Sequence, residues 1–145
     1  MPCSVVVCGF FGDTGKGKVI SYLALKDKLN VTARAGVGPN AGHTVLFEGK
    51  KYGLSMLPSA FVYPKCRLLV GPGVLINPDT LTRELAQTKS ESRVGVDTQC
   101  AVIEARHIEA DKSAHLAKDI RTTGTGTGPC NAERALRMVK LARDV

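Results

Sequence analysis

A glycine-rich turn near the N-terminus is the clearest indication of a chemical function in this sequence. The turn reads GFFGDTGKGK at residues 9–18, after a short apolar run and before a helical pattern. Glycines let backbone N–H groups approach a phosphate, and a helix N-terminus attracts anions. Lys16 and Lys18 add positive charge. The turn therefore predicts a phosphate-binding site.

The turn differs from a P-loop, which has Gly, four residues, Gly-Lys and then Ser or Thr. Here the span from Gly9 to Gly15 is one residue too long, and Gly17 follows the lysine. Asp13 would repel a phosphate unless bound Mg²⁺ offset its charge or unless it served as a general base. A third interpretation, in which Asp13 caps the helix, stays open.

A second segment, NAGHT at residues 40–44, places His43 beside a glycine on a polar loop. An imidazole with a pKa near neutrality can donate a proton to a ligand. Because loop position alone implies function weakly, this segment taken by itself favours a structural or solvated histidine. His107 and His115 lie in a charged helical stretch, and we interpret both as solvent-exposed.

A third segment, TTGTGTGP at residues 122–129, precedes a helix with Pro129 in its first turn. Small hydroxyls and free amides suit a phosphate oxygen. Pro129 occupies the place of the third glycine in GxGxxG, so the dinucleotide fingerprint fails, and a flexible loop is the alternative. Arg134 and Arg137 could reach an anion or face water. Two phosphate-binding loops with an Asp and a His predict a two-substrate phosphoryl-transfer site.

Strand and helix patterns alternate along the chain and would position these loops. Asn77-Pro78-Asp79 has the residue types of a helix start, with Asn as N-cap and Pro at the first position. The alternation predicts an α/β fold like that of P-loop NTPases, with a largely parallel central sheet flanked by helices and a small hairpin. The predicted strands are 4–8, 31–35, 67–71, 74–76 and 93–97, the hairpin strands 44–47 and 52–57, and the helices 18–29, 77–88, 101–116 and 129–145.

Composition favours a small anionic partner. The 145 residues suit one domain, and 20 basic against 13 acidic residues give a net charge of +7. Aromatics are 5% with no tryptophan, and no run of five basic residues occurs, which disfavours nucleic acid.

No apolar run is long enough to span a membrane, and the N-terminus lacks a secretory pattern. The 5 cysteines form no CxxC pair and read as reduced, buried thiols of a cytoplasmic protein.

The three segments together resemble adenylosuccinate synthetases, whose signatures are GDEGKGK, NAGHT and TTGxGxGP. The likeness runs from about Val5 to Val145, and residues 33–38 and 93–97 look most like the shorter, archaeal-type members. The resemblance implies that residues 1–145 form the N-terminal GTP- and IMP-binding part of a synthetase domain. The C-terminal remainder of the family is absent from this sequence.

The resemblance also implies a reaction. GTP, with Mg²⁺, phosphorylates the 6-oxygen of IMP, and L-aspartate then displaces phosphate to give adenylosuccinate in AMP biosynthesis. Asp13 would be the general base, His43 the general acid, and Lys16 would reach the γ-phosphate. A cytoplasmic homodimer is implied, in which Arg137 reaches the IMP of the partner subunit.

Binding residues follow from their places in the motifs. The implied GTP contacts are Gly12, Asp13, Thr14, Gly15, Lys16, Gly17, Lys18, Gly42, His43 and Thr44. The implied IMP contacts are Asp13, Thr14, Gly15, Lys16, Asn40, Ala41, Gly42, His43, Thr123 and Arg137. Asp13 and the Gly42 carbonyl would ligate Mg²⁺.

Several positions depart from the family pattern. Thr14 replaces the usual Glu, Phe11 the usual Trp, and Arg121 stands where Gly usually precedes the Thr pair. The Asp13-Thr14 pair is similar to phage relatives that act on dGMP, which makes dGMP an alternative acceptor. A non-catalytic nucleotide-binding module is a second alternative, and a nucleic-acid binder, which rests on charge alone, is the weakest.

Overall fold

The computed structural model describes residues 3–10, 12, 14–113, 119 and 121–145. Strands and helices alternate along these residues. The helices are α1 Lys16–Lys26, α2 Pro78–Thr88, α3 Ala105–Asp111 and α4 Thr127–Ala135. The strands are β1 Val31–Arg34, β2 His43–Phe47, β3 Lys50–Leu54, β4 Arg67–Val70, β5 Leu75–Ile76, β6 Val94–Val96 and β7 Ala101–Val102.

A three-stranded parallel sheet in the order β1-β4-β6 forms the centre. Thr32 pairs with Leu68 on one side of β4, and Leu68 with Val94 on the other. Leu68 and Val70 are almost fully buried, as expected for a central parallel strand covered on both faces. A second parallel pair, β5-β7, and the antiparallel hairpin β2-β3 complete the strands. The predicted fold class is confirmed.

Local residue chemistry fixes two elements where the sequence predicted them. At the start of α2 the Asn77 side chain accepts a hydrogen bond from the Thr80 amide at 2.9 Å, and Pro78 is the first helical residue. The hairpin turns through Glu48 and Gly49, with φ values of 49° and 75°. Two positive φ values in a two-residue turn match the twist of the flanking strands.

The predicted strand 4–8 is wrong for the described structure. The segment is extended, but no described strand pairs with it, and Val5 and Val7 are 78% and 77% exposed. A β-branched run has the propensity for a strand, but a strand also needs a hydrogen-bonded neighbour. Helix α1 also begins at Lys16, before the predicted residue 18, and ends at Lys26, short of residue 29.

The two predicted C-terminal helices are shorter than expected. Ala101-Val102 forms β7 beside β5, so the predicted helix 101–116 is described only over Ala105–Asp111. Helix α4 begins at Thr127, before Pro129, and ends at Ala135 instead of reaching residue 145. A Schellman motif ends it: Arg137 takes φ 60°, and the Met138 amide bonds the Glu133 carbonyl at 2.9 Å.

His107 is buried, which corrects the predicted exposure of that residue. Its side chain is 1% exposed; Nδ1 accepts from the Glu104 amide at 2.9 Å, and Nε2 donates to Glu133 Oε2 at 3.1 Å. These bonds tie α3 to α4, and the bond to His107, followed by that to Arg106, lowers the pKa of the Glu133 carboxyl. His115 lies outside the described residues.

The cysteines divide between core and surface. Cys66, Cys100 and Cys130 are buried as predicted, and burial raises the pKa of Cys130 to about 11. Cys3 is exposed and Cys8 half-buried, so the predicted burial is wrong for these two. Within the described ranges, no helix has the length and apolar content to cross a membrane.

Candidate functional site

The glycine-rich turn leads directly into α1. The N-cap residue of α1 is Gly15, at φ 76°, and Lys16 is the first helical residue. The N-cap is therefore not Asp13, and Gly15 offers no side chain to occupy the first-turn amides. Asp13, the predicted base and magnesium ligand, lies outside the described residues, as does Phe11.

His43 packs against the first turn of α1. A β-carbon placed on Gly17 would lie 2.8 Å from His43 Cβ, closer than real β-carbons come to other heavy atoms, and 3.0 Å from Ser59 Oγ. Only glycine fits at this position. The structure thus brings two of the three predicted segments together at one point, Gly17 of the first segment and His43 of the second.

The hydrogen bonds of His43 define its protonation. Nδ1 lies 3.3 Å from Arg34 Nη1, and Nε2 lies 3.0 Å from the Leu57 carbonyl oxygen. A guanidinium can only donate and a carbonyl can only accept. Nδ1 is therefore the acceptor, and Nε2 carries the proton. Burial lowers the pKa of His43, and the positive charges of Arg34 and Lys16 lower it further.

Glu84 of α2 holds the backbone that faces His43. Its carboxylate is 2% exposed; Oε1 accepts from the Ser55 amide and hydroxyl, and Oε2 accepts from the Met56 and Leu57 amides at 2.9 Å each. Leu57 is the residue whose carbonyl binds the imidazole. The sequence analysis missed Glu84. An acid at the core-facing spacing of an amphipathic helix, after Leu81, was the available signal.

A cavity of about 310 Å³ lies between the second and third segments. Asn40 and Thr123, both predicted IMP contacts, line it together with Thr127. Gly38 allows this approach, because a β-carbon there would lie 3.3 Å from Leu75 Cβ and 3.4 Å from Thr127 Oγ1. The two loops therefore meet at one cavity, as a shared ligand would require.

Asp111, which the sequence analysis also missed, organises the Thr/Gly loop at this cavity. Its Oδ2 accepts from the Gly126 amide at 2.8 Å, and its carbonyl accepts from Thr122 Oγ1 at 3.1 Å. Gly126 has φ 77°, and a β-carbon there would lie 2.9 Å from Ile103 Cγ2. Asp111 is 2% exposed, and its spacing of four residues after His107 was the available signal.

Other predicted site residues lie near the surface. Thr44, Ala41 and Gly42 are exposed on the second segment, and Lys18 is exposed on α1. Arg137 is exposed where α4 ends, so a single chain does not test its predicted reach to a partner subunit.

The interpretation of Arg134 as an anion ligand or a solvated side chain is wrong. Its guanidinium donates to the carbonyls of Gly73 at 2.9 Å and Pro72 at 2.7 Å. These bonds join α4 to the turn before β5, so Arg134 has a structural role.

Cys8 has an activated thiol beside the glycine-rich turn. Its Sγ lies 3.3 Å from Thr14 Oγ1, and hydrogen bonds to Thr14 and then to the Phe10 backbone lower the pKa of Cys8 to about 7. Because the thiolate is the nucleophile, we expect its alkylation rate to rise with pH through about 7. Iodoacetamide labelling followed by peptide mass mapping measures this rate. Thr14→Val should move the midpoint upward, and an unchanged midpoint would contradict the assignment.

Comparison with known proteins decides the family. The adenylosuccinate synthetase family model matches residues 5–144. The adenylosuccinate synthetase of Archaeoglobus fulgidus is 51% identical over 146 residues, which covers 100% of this chain and 43% of that protein. The chain belongs to the adenylosuccinate synthetase family. Members of this family are ligases of purine biosynthesis that form a C–N bond, and the chain spans less than half the length of this curated relative.

Solved structures of the family superpose on the same fold. Fully ligated adenylosuccinate synthetase from Plasmodium falciparum matches with a TM-score of 0.81 and 29% identity, over 91% of this chain and 32% of that one. The succinoaminodeoxyadenylate synthetase of cyanophage S-2L, bound to dGMP and dATP, matches with a TM-score of 0.74 and 28% identity, over 88% of this chain and 36% of that one.

Proposed function

We propose that the chain is the N-terminal, GTP- and IMP-binding part of an adenylosuccinate synthetase. The observation that carries the proposal is the packing of His43 against Gly17, which places the base of the imidazole side chain against the first turn of α1. An identity of 51% to the archaeal relative supports IMP as the acceptor over dGMP, since the dGMP-bound phage enzyme is 28% identical.

The start of α1 binds the GTP phosphates in this proposal. Gly15 as N-cap leaves the first-turn amides to an anion, and Lys16 adds a charge at the first helical position. Asp13 and the Gly42 carbonyl supply hard oxygen donors, the kind that Mg²⁺ takes together with substrate phosphates. When bound, Mg²⁺ neutralises charge on the phosphates and on Asp13.

The chemistry then runs in two balanced steps. Asp13 removes the N1 proton of IMP, O6 attacks the γ-phosphorus of GTP, and GDP leaves. The amino nitrogen of L-aspartate next attacks C6, inorganic phosphate leaves with O6, and the nitrogen loses a proton. His43 donates its Nε2 proton in a hydrogen bond to the transferring phosphoryl group. In the described structure that proton goes to the Leu57 carbonyl, so a ligand oxygen replaces this carbonyl during catalysis.

IMP occupies the cavity that joins the second and third segments. Asn40 and Thr123 contribute polar side chains from opposite loops. Arg137 is exposed at the end of α4 and does not line the cavity of its own chain. This position supports a homodimer in which Arg137 reaches the partner's nucleotide.

GTP consumption measured with each acceptor tests the proposal. In the protein as its gene encodes it, we expect phosphate release only when GTP, IMP and L-aspartate are all present. Release that ignores IMP would contradict the synthetase assignment. Replacing IMP with dGMP separates the two acceptor hypotheses, because higher turnover with dGMP would move the chain to the phage type.

A further inference from the structure

Arg34 is the last residue of β1, and its guanidinium forms hydrogen bonds to the loop before His43 and to His43 itself. Nη2 donates to the carbonyls of Gly38 at 3.2 Å and Ala41 at 3.0 Å, and Nη1 donates to His43 Nδ1 at 3.3 Å. One side chain therefore bonds three points along the chain from residue 38 to residue 43. Arg34 lies within the family-like stretch at residues 33–38, and no role for it follows from the sequence alone.

The geometry requires an arginine. A guanidinium presents fixed, coplanar donors, whereas a lysine ammonium is a compact charge on a flexible stem. The third nitrogen, Nε, is buried and has no partner among the described residues. A buried donor without a partner costs free energy, which the hydrogen bonds of the other two nitrogens must offset. Burial also lowers the pKa of Arg34.

We propose that Arg34 is a positioning residue that sets the loop at residues 38–42 and the ring of His43 in their working geometry. The catalytic part of this inference rests on the proposed function. The positioning of the loop is independent of that function, since it concerns hydrogen bonds within this chain.

Arg93 provides a matched control. Its guanidinium also donates to three backbone carbonyls, those of Phe61, Tyr63 and Cys66, at 2.6 to 3.0 Å. Burial lowers its pKa as well. None of these acceptors belongs to the loop at residues 38–43, so Arg93→Lys measures what the loss of three such hydrogen bonds outside that loop does to the fold.

The first test is amide hydrogen exchange in Arg34→Lys and Arg93→Lys, which needs no catalytic activity. We expect faster exchange at residues 38–43 in Arg34→Lys and unchanged exchange there in Arg93→Lys. Unchanged exchange at 38–43 in Arg34→Lys would overturn the proposal whether or not the protein is a synthetase.

The second test is steady-state kinetics. Arg34→Lys should lower kcat by about 10²-fold, the usual cost of a catalytic group displaced by about 1 Å. The KM for IMP should rise because Asn40 loses its anchored loop, while the KM for L-aspartate stays unchanged. Partial unfolding would lower kcat and move neither KM. Millimolar guanidinium should restore part of the turnover of Arg34→Ala but add nothing to Arg93→Ala. Unchanged kcat in Arg34→Lys, or an equal loss in Arg93→Lys, would overturn the proposal.

Discussion

Replacing His43 with asparagine is expected to lower kcat by about 10²–10⁴-fold, the range that a general acid contributes. The shorter amide ends near the position of Nδ1 and cannot present a donor where Nε2 now lies, 3.0 Å from the Leu57 carbonyl. Phosphate release at saturating GTP, IMP and L-aspartate measures the change. Nucleotide binding, followed by calorimetry, should change much less, because the start of α1 and the Thr/Gly loop are untouched.

His107 supplies the matched control for this experiment. It is buried like His43 and bonds Glu104 and Glu133, but it lies in α3 and not in the second segment. His107→Asn should lower the melting temperature and leave kcat near that of the unmodified protein. Turnover within tenfold of normal in His43→Asn would remove the proposed acid role.

Glu84→Gln is expected to lower the free energy of unfolding by about 3 kcal/mol. The carboxylate accepts three backbone N–H groups and one hydroxyl, and an amide nitrogen in place of one oxygen would face donors instead of acceptors. Hydrogen bonds to charged groups contribute about 1.5–3 kcal/mol each, and a buried unpaired donor costs about 1–3 kcal/mol. Urea unfolding followed by circular dichroism measures the loss.

Glu109→Gln makes the same chemical change on the exposed face of α3 and should alter the free energy of unfolding by less than about 0.5 kcal/mol. Similar losses in the two variants would show that the Glu84 carboxylate does not hold Ser55–Leu57 in solution.

Local patterns predicted the elements whose cause is local. The Asn77 cap, Pro78 and the two-residue turn at Glu48-Gly49 form from the chemistry of neighbouring residues. Strand β4 follows from the apolar run that ends at Val70, which suits a buried parallel strand. The three family segments also predicted that residues 12–18 and His43 would meet, and Gly17 shows how closely they do.

Elements whose cause lies elsewhere in the chain escaped prediction. Ala101-Val102 became a strand because β5 pairs with it, and His107 is buried because Glu133 reaches it from α4. Arg34 and Glu84 read as ordinary charges in the sequence, since their acceptors and donors come from segments up to 29 residues away. The helical spacing of Glu84 after Leu81 indicates a core-facing position, but it does not identify the backbone amides that the carboxylate binds.

The absence of space between Gly17 and His43 has a mechanical result. Helix α1 and the strand that begins at His43 pack with no room for a side chain at residue 17, so a shift of either element would press on the other. In the proposed function, the helix start that binds the phosphates and the strand that begins at the acid are therefore packed directly against each other.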